Sequence, residues 1–326
     1  MMKFKRVIAV VAMVAMLATG VVGMTSCGMK DDVYKIGICQ LVQHDALDAA
    51  TDGFKKALED KIGIENLMFD EQNASGDSAN CTPIVTGFVA DQMDLIMANA
   101  TAPLQAAAAA TADIPVLGTS VTDYATALGI DDWTGTVGTN VSGASDLAPL
   151  DQQAAMIKEL FPEATKVGLL YCSTEPNSVY QCNKVEGYLK ADGIEVKWFA
   201  FTDTNDVNSV TQSACDWADV IYIPTDNTAA SNTEAIANVV LPAKVPVVAG
   251  EEGICKGCGV ATLSIDYYDM GYATGEMAYE ILVNGADVKT MPVAIVTEVT
   301  KKYNAANCEA LGIAAPEGYE AIVVEE

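Results

Sequence analysis

The sequence predicts an α/β protein built from two lobes, each a parallel sheet flanked by helices, joined by a hinge of several segments. Three observations predict it. The chain has 326 residues of which 51% are hydrophobic, enough to fill two cores. Short apolar runs alternate with segments of helical periodicity, which is the pattern of parallel sheets covered by helices. This alternation occurs twice along the chain.

The repeat is visible in short matching segments. Lys35-Ile36-Gly37-Ile38 matches Lys166-Val167-Gly168-Leu169, and Ile114-Pro115-Val116 matches Val245-Pro246-Val247, both at an offset of 131 positions. Between them, Asp94-Leu95-Ile96 matches Asp219-Val220-Ile221 at an offset of 125. Offsets this similar indicate two copies of one structural unit.

Each unit reads as strands and helices in alternation. In the first, Leu47, Ala50, Phe54 and Leu58 have the spacing of one helix face. Its strands are predicted at 34–41, 67–71, 94–98 and 115–118, and its helices at 47–58 and 103–112. In the second, strands are predicted at 166–171, 195–201, 219–223 and 246–249, and helices at 178–190 and 229–240. The predicted first lobe covers 34–143 and is completed by about 267–326, and the second covers 144–266. Connections between the lobes are expected at 140–146 and 264–267.

The N-terminal segment is predicted to be a targeting signal. Lys3, Lys5 and Arg6 precede an apolar run over 7–22, which is the pattern of a secretory signal peptide. The run ends at Met24-Thr25-Ser26-Cys27, which resembles the lipobox of bacterial lipoproteins. That resemblance implies removal of residues 1–26, a lipid on the Cys27 thiol, and a tether over 27–33. An ordinary signal peptide and an uncleaved membrane anchor are the alternatives, although 16 apolar residues are short for a span.

Charge and missing motifs exclude several functions. The net charge of -26 would repel DNA or RNA, so no nucleic-acid partner is expected. Arg6 is the only arginine, which disfavours ligands that need a guanidinium fork, such as phosphates and dicarboxylates. Neither a phosphate-binding loop nor a nucleophile elbow is present, so the chain is not expected to be an enzyme.

The cysteines do not predict a metal or cofactor site. Cys255 and Cys258 form a C-x-x-C motif, but a zinc site needs two more ligands and the only histidine, His44, is distant in sequence. A local disulfide or two free thiols fits the motif better. No metal and no cofactor are therefore expected.

The candidate binding residues lie in the loops that follow the predicted strands, because ligands of open α/β sheets bind beyond the carboxyl ends of the strands. Two lobes in tandem direct these loops toward a shared cleft. The candidate ligand-binding residues are Gln43, His44, Thr101, Thr119, Asp146, Asn177, Ser178, Thr225, Asp226, Asn227 and Glu251.

These loops favour a small zwitterion. Thr101 is expected to cap its helix, where free N–H groups and the helix dipole attract a carboxylate, helped by Asn177 or Ser178 from the other lobe. An ammonium group would find a carboxylate at Asp226, Asp146 or Glu251. Structural roles are the alternatives: a helix cap only at Thr101, an Asx-turn at Asp226 and Asn227, and a hinge strand at Asp146. For His44, ligand contact, a solvated loop position and catalysis with a serine or cysteine are all open.

Several longer segments then point to a family. They are the run Gly37-Ile38-Cys39-Gln40-Leu41-Val42-Gln43-His44-Asp45-Ala46-Leu47-Asp48, Ala100-Thr101-Ala102-Pro103, Asn140-Val141-Ser142-Gly143-Ala144-Ser145-Asp146, Pro224-Thr225-Asp226-Asn227 and Ile265-Asp266-Tyr267-Tyr268. From about residue 34 to its end, the chain resembles ABC-transporter substrate-binding proteins of the type I periplasmic-binding-protein fold, a group that includes members linked to tryptophan or tyrosine uptake. Asp45 departs from the family, which often has proline there.

The resemblance implies a function as well as two Rossmann-like lobes. It implies a monomeric, lipid-anchored protein outside the cytoplasm that binds an amino acid, aromatic in some members, and delivers it to an ABC permease with its ATPase. A receptor or sensor of the same fold without a permease, and a sugar-binding member, are the alternatives. The loops lack the tryptophan and arginine side chains on which sugar clefts often rely.

Overall fold

A computed structural model of the chain describes residues 33–295 and 298–323. The predicted signal peptide, Cys27 and nearly all of the predicted tether lie outside the described residues. The helices are α1 (Asp45–Ile62), α2 (Cys81–Ala90), α3 (Thr101–Ala110), α4 (Tyr124–Leu128), α5 (Leu150–Leu160), α6 (Pro176–Ala191), α7 (Val207–Cys215), α8 (Asn227–Ala230), α9 (Thr233–Ala243), α10 (Glu252–Cys258), α11 (Tyr267–Leu282) and α12 (Ala305–Leu311).

The strands form two sheets. The first consists of β1 (Tyr34–Gln40), β2 (Leu67–Asn73), β3 (Leu95–Asn99), β4 (Val116–Val121), β5 (Val141–Ser145) and β11 (Ala294–Ile295). The second consists of β6 (Lys166–Cys172), β7 (Glu195–Phe201), β8 (Val220–Ile223), β9 (Val247–Ala249), β10 (Ala261–Ser264), β12 (Thr300–Tyr303) and β13 (Glu320–Ala321). Neighbouring strands are parallel except for β10 and β12, which pair antiparallel.

The two sheets repeat one strand order. The first runs β2-β1-β3-β4-β5 and the second β7-β6-β8-β9-β10, each continued by a late strand. This common order confirms the predicted fold class of two parallel α/β lobes. In each sheet the direction of strand addition reverses beside its first strand, between β1 and β3 and between β6 and β8. Such reversals open a crevice at the carboxyl ends of the strands, where ligands of these sheets bind.

Helices cover both faces of each sheet and bury the apolar residues of the strands. In the first lobe Ile36 and Ile38 of β1 face α1 and α11, whereas Cys39 and Leu41 face α2 and α3. In the second lobe α5 and α6 cover one face and α7, α9 and α10 cover the other. Because central strands such as β3, β6 and β8 contribute to two cores, their residues are buried almost throughout, whereas the edge strand β7 alternates between more and less buried residues.

Over the residues that the structure describes, the chain passes from one sheet to the other three times. The crossings follow β5, β10 and β11. The first two lie close to the predicted connections, although residues 141–145 form β5 within the first sheet. The assignment of 267–326 to the first lobe is wrong in its second half: β12 and β13 belong to the second sheet, because β12 pairs with β10.

The predicted helix over 229–240 is interrupted. It is divided into α8 and α9, because Ser231 and Asn232 turn their side chains back to backbone carbonyls of Asn227 and Thr228 and end the first segment. Short polar side chains compete in this way with the helical hydrogen bonds of the backbone. The break leaves α8 as one turn beside the cleft.

Helices α1 and α11 touch backbone to backbone at glycines. A Cβ atom on Gly271 would lie 2.0 Å from the carbonyl oxygen of Ala50, and one on Gly53 would lie 2.1 Å from that of Tyr268. Even a methyl group therefore forces the two helices apart. Because α11 follows directly on a crossing between the lobes, this contact also fixes one segment of the hinge.

We expect Gly271→Ala to lower the free energy of unfolding by about 2 kcal/mol, the usual cost of overpacking. Gly187→Ala is the matched control, since Gly187 lies in α6 and a Cβ there meets no atom within 4 Å. The control should stabilise the protein by about 0.5 kcal/mol through helix propensity. Urea unfolding of both variants measures the difference, and equal effects would contradict the close contact.

Candidate functional site

The candidate site is built from loops at the two strand-order reversals. In the first lobe these are the loop between β1 and α1, which holds His44, and the junction of β3 with α3 at Thr101. In the second lobe they are the loop between β6 and α6, which holds Glu175, and the loop between β8 and α8, which holds Asp226. The topology thus places both sets of loops at the carboxyl ends of the strands in their sheets. These two ends face each other across the space between the lobes.

The N-terminus of α3 is open to an anion. Ala100 is the residue before the helix, with φ 100° and ψ 170°, and no side chain caps the first turn. Thr101 is therefore the first helical residue, and its prediction as the cap is wrong because the chain turns one residue earlier. The backbone N–H groups of Thr101 and Ala102 lie in the first turn, where a helix offers them no carbonyl partner.

Two hydroxyl groups at the end of β4 lie beside this turn. The Ala100 N–H donates to the Thr119 carbonyl at 3.0 Å, so β4 ends next to α3. The hydroxyls of Thr119 and Ser120 are both buried without a hydrogen-bond partner. Ser120 has φ 55°, a left-handed backbone that costs energy in a residue with a Cβ. Strain and unpaired polar atoms together mark a position that is suited to bind a ligand.

Asp146 follows β5 on the far side of β4. It is 2% exposed, and one carboxylate oxygen accepts a hydrogen bond from the Tyr267 hydroxyl at 2.9 Å. The other oxygen, Oδ1, is buried and accepts no hydrogen bond of good geometry, and the Thr122 side chain near the carboxylate only partly offsets the effect of burial on its pKa. Burial raises the pKa of Asp146 above its ordinary value. A buried carboxylate oxygen without a donor is costly, and an ammonium group would satisfy it.

The spacing of these groups fits an amino acid. Neighbouring strands lie about 4.8 Å apart, so the ends of β3 and β5 are separated by about 10 Å across β4. A carboxylate and an ammonium on one carbon, each with a hydrogen bond of about 3 Å, span roughly that distance. The first lobe therefore offers donors and an acceptor at the two ends of such a ligand.

Glu175 organises the loops of the second lobe, and the candidate residues predicted from the sequence did not include it. Its carboxylate accepts hydrogen bonds from the backbone and side chain of Asn227 at 3.0 and 2.8 Å, and from the backbone and side chain of Thr228 at 2.8 Å each. A further bond comes from the Asn177 amide at 3.3 Å. The only available signal was a glutamate in a strand-end loop, directly before the proline that begins α6.

Asp226 and Glu251 are engaged within their own lobe. Asp226 accepts from the backbone N–H groups of Cys172 and Ala229 at 2.6 and 2.8 Å, and Glu251 accepts from those of Gly253 and Ile254. Both carboxylates cap helices, α8 and α10 respectively. Asp226 thus has a structural role, as a helix cap and not in the Asx-turn considered from the sequence. Of the three carboxylates considered for an ammonium, only Asp146 has an unpartnered buried oxygen among the described residues.

Three other candidates brace the loop that carries Asp226. The Asn177 amide donates to the Thr225 carbonyl at 3.0 Å, and Ser178 is fully buried beside the Asp226 carboxylate. Thr225 is half-buried, and its hydroxyl lies 3.5 Å from the Gly250 carbonyl. These residues shape the second lobe's side of the cleft, and Asn177 and Ser178 direct their polar groups into the lobe.

The remaining candidates lie where the lobes touch. The His44 Nε2 atom is 3.2 Å from the Asn227 Oδ1 atom of the other lobe. Nearby, the Lys256 ammonium pairs with the Asp45 carboxylate at 2.8 Å, again across the lobes. On another side α4 packs against α6. Gln43 is exposed at the rim. Contacts on more than one side indicate that the cleft is closed.

A cavity of about 520 Å³ adjoins the site near the crossings between the lobes. Charged side chains of both signs line it, including Asp45, Glu252, Asp266, Lys256 and Lys302. It reaches Glu251 and Tyr267 but none of the α3 and β4 groups described above. Its charged walls suit water and ions better than an aromatic ring, so the ligand site is assigned to the strand-end loops.

Other chemistry receives no support from the described residues. Within 33–295 and 298–323 no three His, Cys, Asp or Glu side chains are placed to hold a metal ion. In the same residues no helix is both long enough and apolar enough to cross a membrane. Cys255 and Cys258 are buried free thiols, so the structure favours that alternative over a local disulfide.

The buried carboxylates make stability depend on pH. Burial and the charge of Glu175 raise the pKa of Asp226 to about 8, and burial raises that of Glu251 to about 7. Both values exceed those of the unfolded chain, so the folded state binds more protons between about pH 4 and pH 8. We expect the free energy of unfolding to fall by about 1–3 kcal/mol from pH 5 to pH 8. Urea unfolding at several pH values measures it, and a rise over this range would contradict the assignment.

The chain is similar to known proteins in sequence and in fold. The sequence model of the family described as ABC transporter substrate binding protein matches residues 35–324. A tyrosine-binding protein of Clostridioides difficile (strain R20291) is 39% identical over 265 residues, which cover 81% of this chain and 76% of that protein.

Two solved structures are similar over most of their length. One is an ABC domain from Streptococcus pneumonia in complex with L-Trp: 31% identity, a TM-score of 0.85, and coverage of 89% of this chain and 100% of that one. The other is the ligand-free, open structure of a substrate-binding protein with adhesive properties from Clostridium difficile: 38% identity, a TM-score of 0.68, and coverage of 90% and 100%. The open structure is the more similar in sequence and the less similar in shape. This difference agrees with the contacts between the lobes and indicates a closed arrangement.

Proposed function

This chain belongs to the family of ABC transporter substrate-binding proteins, and we propose that it binds an aromatic amino acid, tyrosine or tryptophan, between its lobes. The observation that carries the proposal is the pair of unsatisfied sites at the end of the first sheet. The open N-terminus of α3 suits a carboxylate, and the unpartnered Asp146 Oδ1 suits an ammonium. They lie two strands apart, as one amino acid requires.

The aromatic side chain is inferred from relatives. One relative is described as a tyrosine-binding protein, and one similar structure contains L-Trp. These two matches cover 81% and 89% of this chain, which is more than either lobe alone. Binding is expected to favour the closed arrangement, because a ligand that contacts both lobes stabilises the state in which they meet.

We expect the protein to act outside the cytoplasm, attached to the cell membrane. The basic and apolar N-terminal segment and the Met24-Thr25-Ser26-Cys27 sequence support a signal peptide over residues 1–26, a lipid on Cys27 and a tether over 27–33. Anchored in this way as a monomer, the protein would deliver its ligand to an ABC permease and its ATPase. In this role the protein forms and breaks no covalent bond, which agrees with relatives that are binding proteins.

A melting-temperature screen tests the proposal. The chain from residue 28 onward would be unfolded and refolded to remove co-purified ligand, and then heated with each of the twenty amino acids or with common sugars. A ligand at 100 times its Kd adds about 2.7 kcal/mol to stability, a shift of a few degrees. We expect the largest shifts with tyrosine and tryptophan. A shift with sugars alone would contradict the proposed ligand and leave the family unchanged.

A further inference from the structure

The imidazole of His44 lies at the contact between the lobes, and its two nitrogens differ in their surroundings. Nε2 is 3.2 Å from the Asn227 Oδ1 atom. Nδ1 is buried and has no hydrogen-bond partner, and the side chain does not cap α1, although His44 directly precedes that helix. A neutral imidazole donates through one nitrogen and accepts through the other, so the neighbours of Nε2 decide the role of Nδ1.

Glu175 fixes the orientation of the Asn227 amide. The carboxylate receives hydrogen bonds from backbone and side-chain donors of Asn227 and Thr228 and from Asn177, so every contact uses it as an acceptor. The Asn227 group that faces this acceptor at 2.8 Å is therefore the NH₂, which leaves the amide oxygen facing His44.

The His44 tautomer follows from this orientation. Because an amide oxygen only accepts, Nε2 must carry the proton that lies between the two residues. Burial lowers the pKa of His44, which favours the neutral ring despite the nearby carboxylates of Glu175, Asp48 and Asp45. Nδ1 is then an unprotonated acceptor, shielded from water and without a donor. Such an atom costs free energy unless something else supplies a hydrogen.

We propose that the His44 Nδ1 atom accepts a hydrogen bond from the side chain of the ligand, a phenol O–H or an indole N–H, and so selects tyrosine and tryptophan over phenylalanine. This inference rests on the proposed function. The ligand's charged groups already have partners in the first lobe, its carboxylate at α3 and its ammonium at Asp146. The side-chain donor is the ligand's remaining polar group. Other buried atoms without a partner, Asn99 Oδ1 and the hydroxyls of Thr119 and Ser120, lie at the strand ends of the first lobe, whereas His44 Nδ1 lies where the two lobes meet.

The substitution His44→Gln distinguishes an effect on ligand selectivity from an effect on the closure of the two lobes. In His44→Gln the amide nitrogen can take the place of Nε2 and still donate to Asn227, whereas the Nδ1 acceptor is lost. Calorimetric titrations would compare tyrosine with phenylalanine, and tryptophan with 3-benzothienylalanine, in which sulfur replaces the indole N–H. We expect the wild type to prefer the donor in each pair by about tenfold, the worth of one buried hydrogen bond.

In His44→Gln both preferences should shrink to within about twofold, while phenylalanine affinity changes little. If the variant keeps the preferences, if the wild type shows none, or if all four ligands weaken equally, His44 does not read the side chain and the inference is overturned. If neither the wild type nor the variant binds any aromatic amino acid, the proposed function itself fails.

Nuclear magnetic resonance gives a second test that needs no substitution. His44 is the only histidine in the sequence, so ¹⁵N-labelled histidine gives a single imidazole signal set. With phenylalanine bound and the lobes closed, the protein should show a protonated Nε2 and an unprotonated Nδ1. With tyrosine bound, the Nδ1 resonance should shift further, in the direction of hydrogen bonding. A protonated Nδ1 in the phenylalanine complex, or equal Nδ1 resonances with both ligands, would overturn the inference.

Discussion

Replacing Asp146 with asparagine is expected to weaken binding of tyrosine or tryptophan about a hundredfold or more. The carboxylate is buried, one oxygen is held by the Tyr267 hydroxyl, and the other has no partner until a ligand supplies one. Removing one member of a buried charge pair costs about 2–5 kcal/mol in binding. The free protein should fold normally, because asparagine keeps the size of the side chain and an oxygen that accepts from the Tyr267 hydroxyl. Calorimetric titration measures the loss.

A ligand without an ammonium group provides the control for this substitution. 3-(4-Hydroxyphenyl)propionate retains the phenol and carboxylate of tyrosine, so it should bind weakly and about equally to the wild type and to Asp146→Asn. Since the ammonium favours the ionised carboxylate, tyrosine affinity should also rise as pH increases through the raised pKa of Asp146. Undiminished tyrosine binding by the variant would show that the ammonium lies elsewhere.

Replacing Glu175 with glutamine is expected to lower the free energy of unfolding by about 3 kcal/mol. The carboxylate is 7% exposed and accepts hydrogen bonds from the backbone and side-chain donors of Asn227 and Thr228. The NH₂ group of a glutamine donates hydrogen bonds and cannot accept them, so some of these donors would lose their acceptor. Each unsatisfied buried donor costs about 1–3 kcal/mol. The His44 contact should loosen as well, because it depends on the orientation of Asn227.

Glu186→Gln is the matched control, since Glu186 lies in α6, the helix that Glu175 precedes, and pairs with Lys190 one turn away. A surface pair of this kind contributes about 0–1 kcal/mol, so the control should change stability little. Urea unfolding of both variants, with tyrosine titrations, separates the effects on folding and binding. Equal stability of the two variants would contradict the role of Glu175.

Much of the fold could be predicted because the sequence repeat indicates two units of the same structure. The paired segments that begin at Lys35 and Lys166 are the first strands of two sheets with the same strand order. The path after β11 could not be predicted in the same way, since β12 and β13 have no counterpart in the other unit. Residues 300–321 return to the second sheet through pairing of β12 with β10, which is a tertiary contact without a local sequence signal.

The loops that form the site could be predicted from the sequence, but the role of each side chain in them could be predicted less well. Thr101 and Asp226 occupy the expected strand ends, but which side chain caps a helix depends on where the helix begins. The chain turns at Ala100, which has an unusual φ of 100°, and the sequence contains no pattern that predicts this conformation. The role of Glu175 depends on donors about 50 positions further along the chain. The loops can be located from the sequence, but which carboxylate remains unpaired depends on tertiary contacts.

A crystal structure of the protein with L-tyrosine would show whether an aromatic amino acid is held between the lobes by its charged groups. We expect the ligand ammonium within hydrogen-bond distance of Asp146 Oδ1 and its carboxylate at the backbone N–H groups of Thr101 and Ala102, with the lobes closed. An ammonium bound to Asp226 or Glu251, or a ligand located outside the strand-end loops, would contradict it.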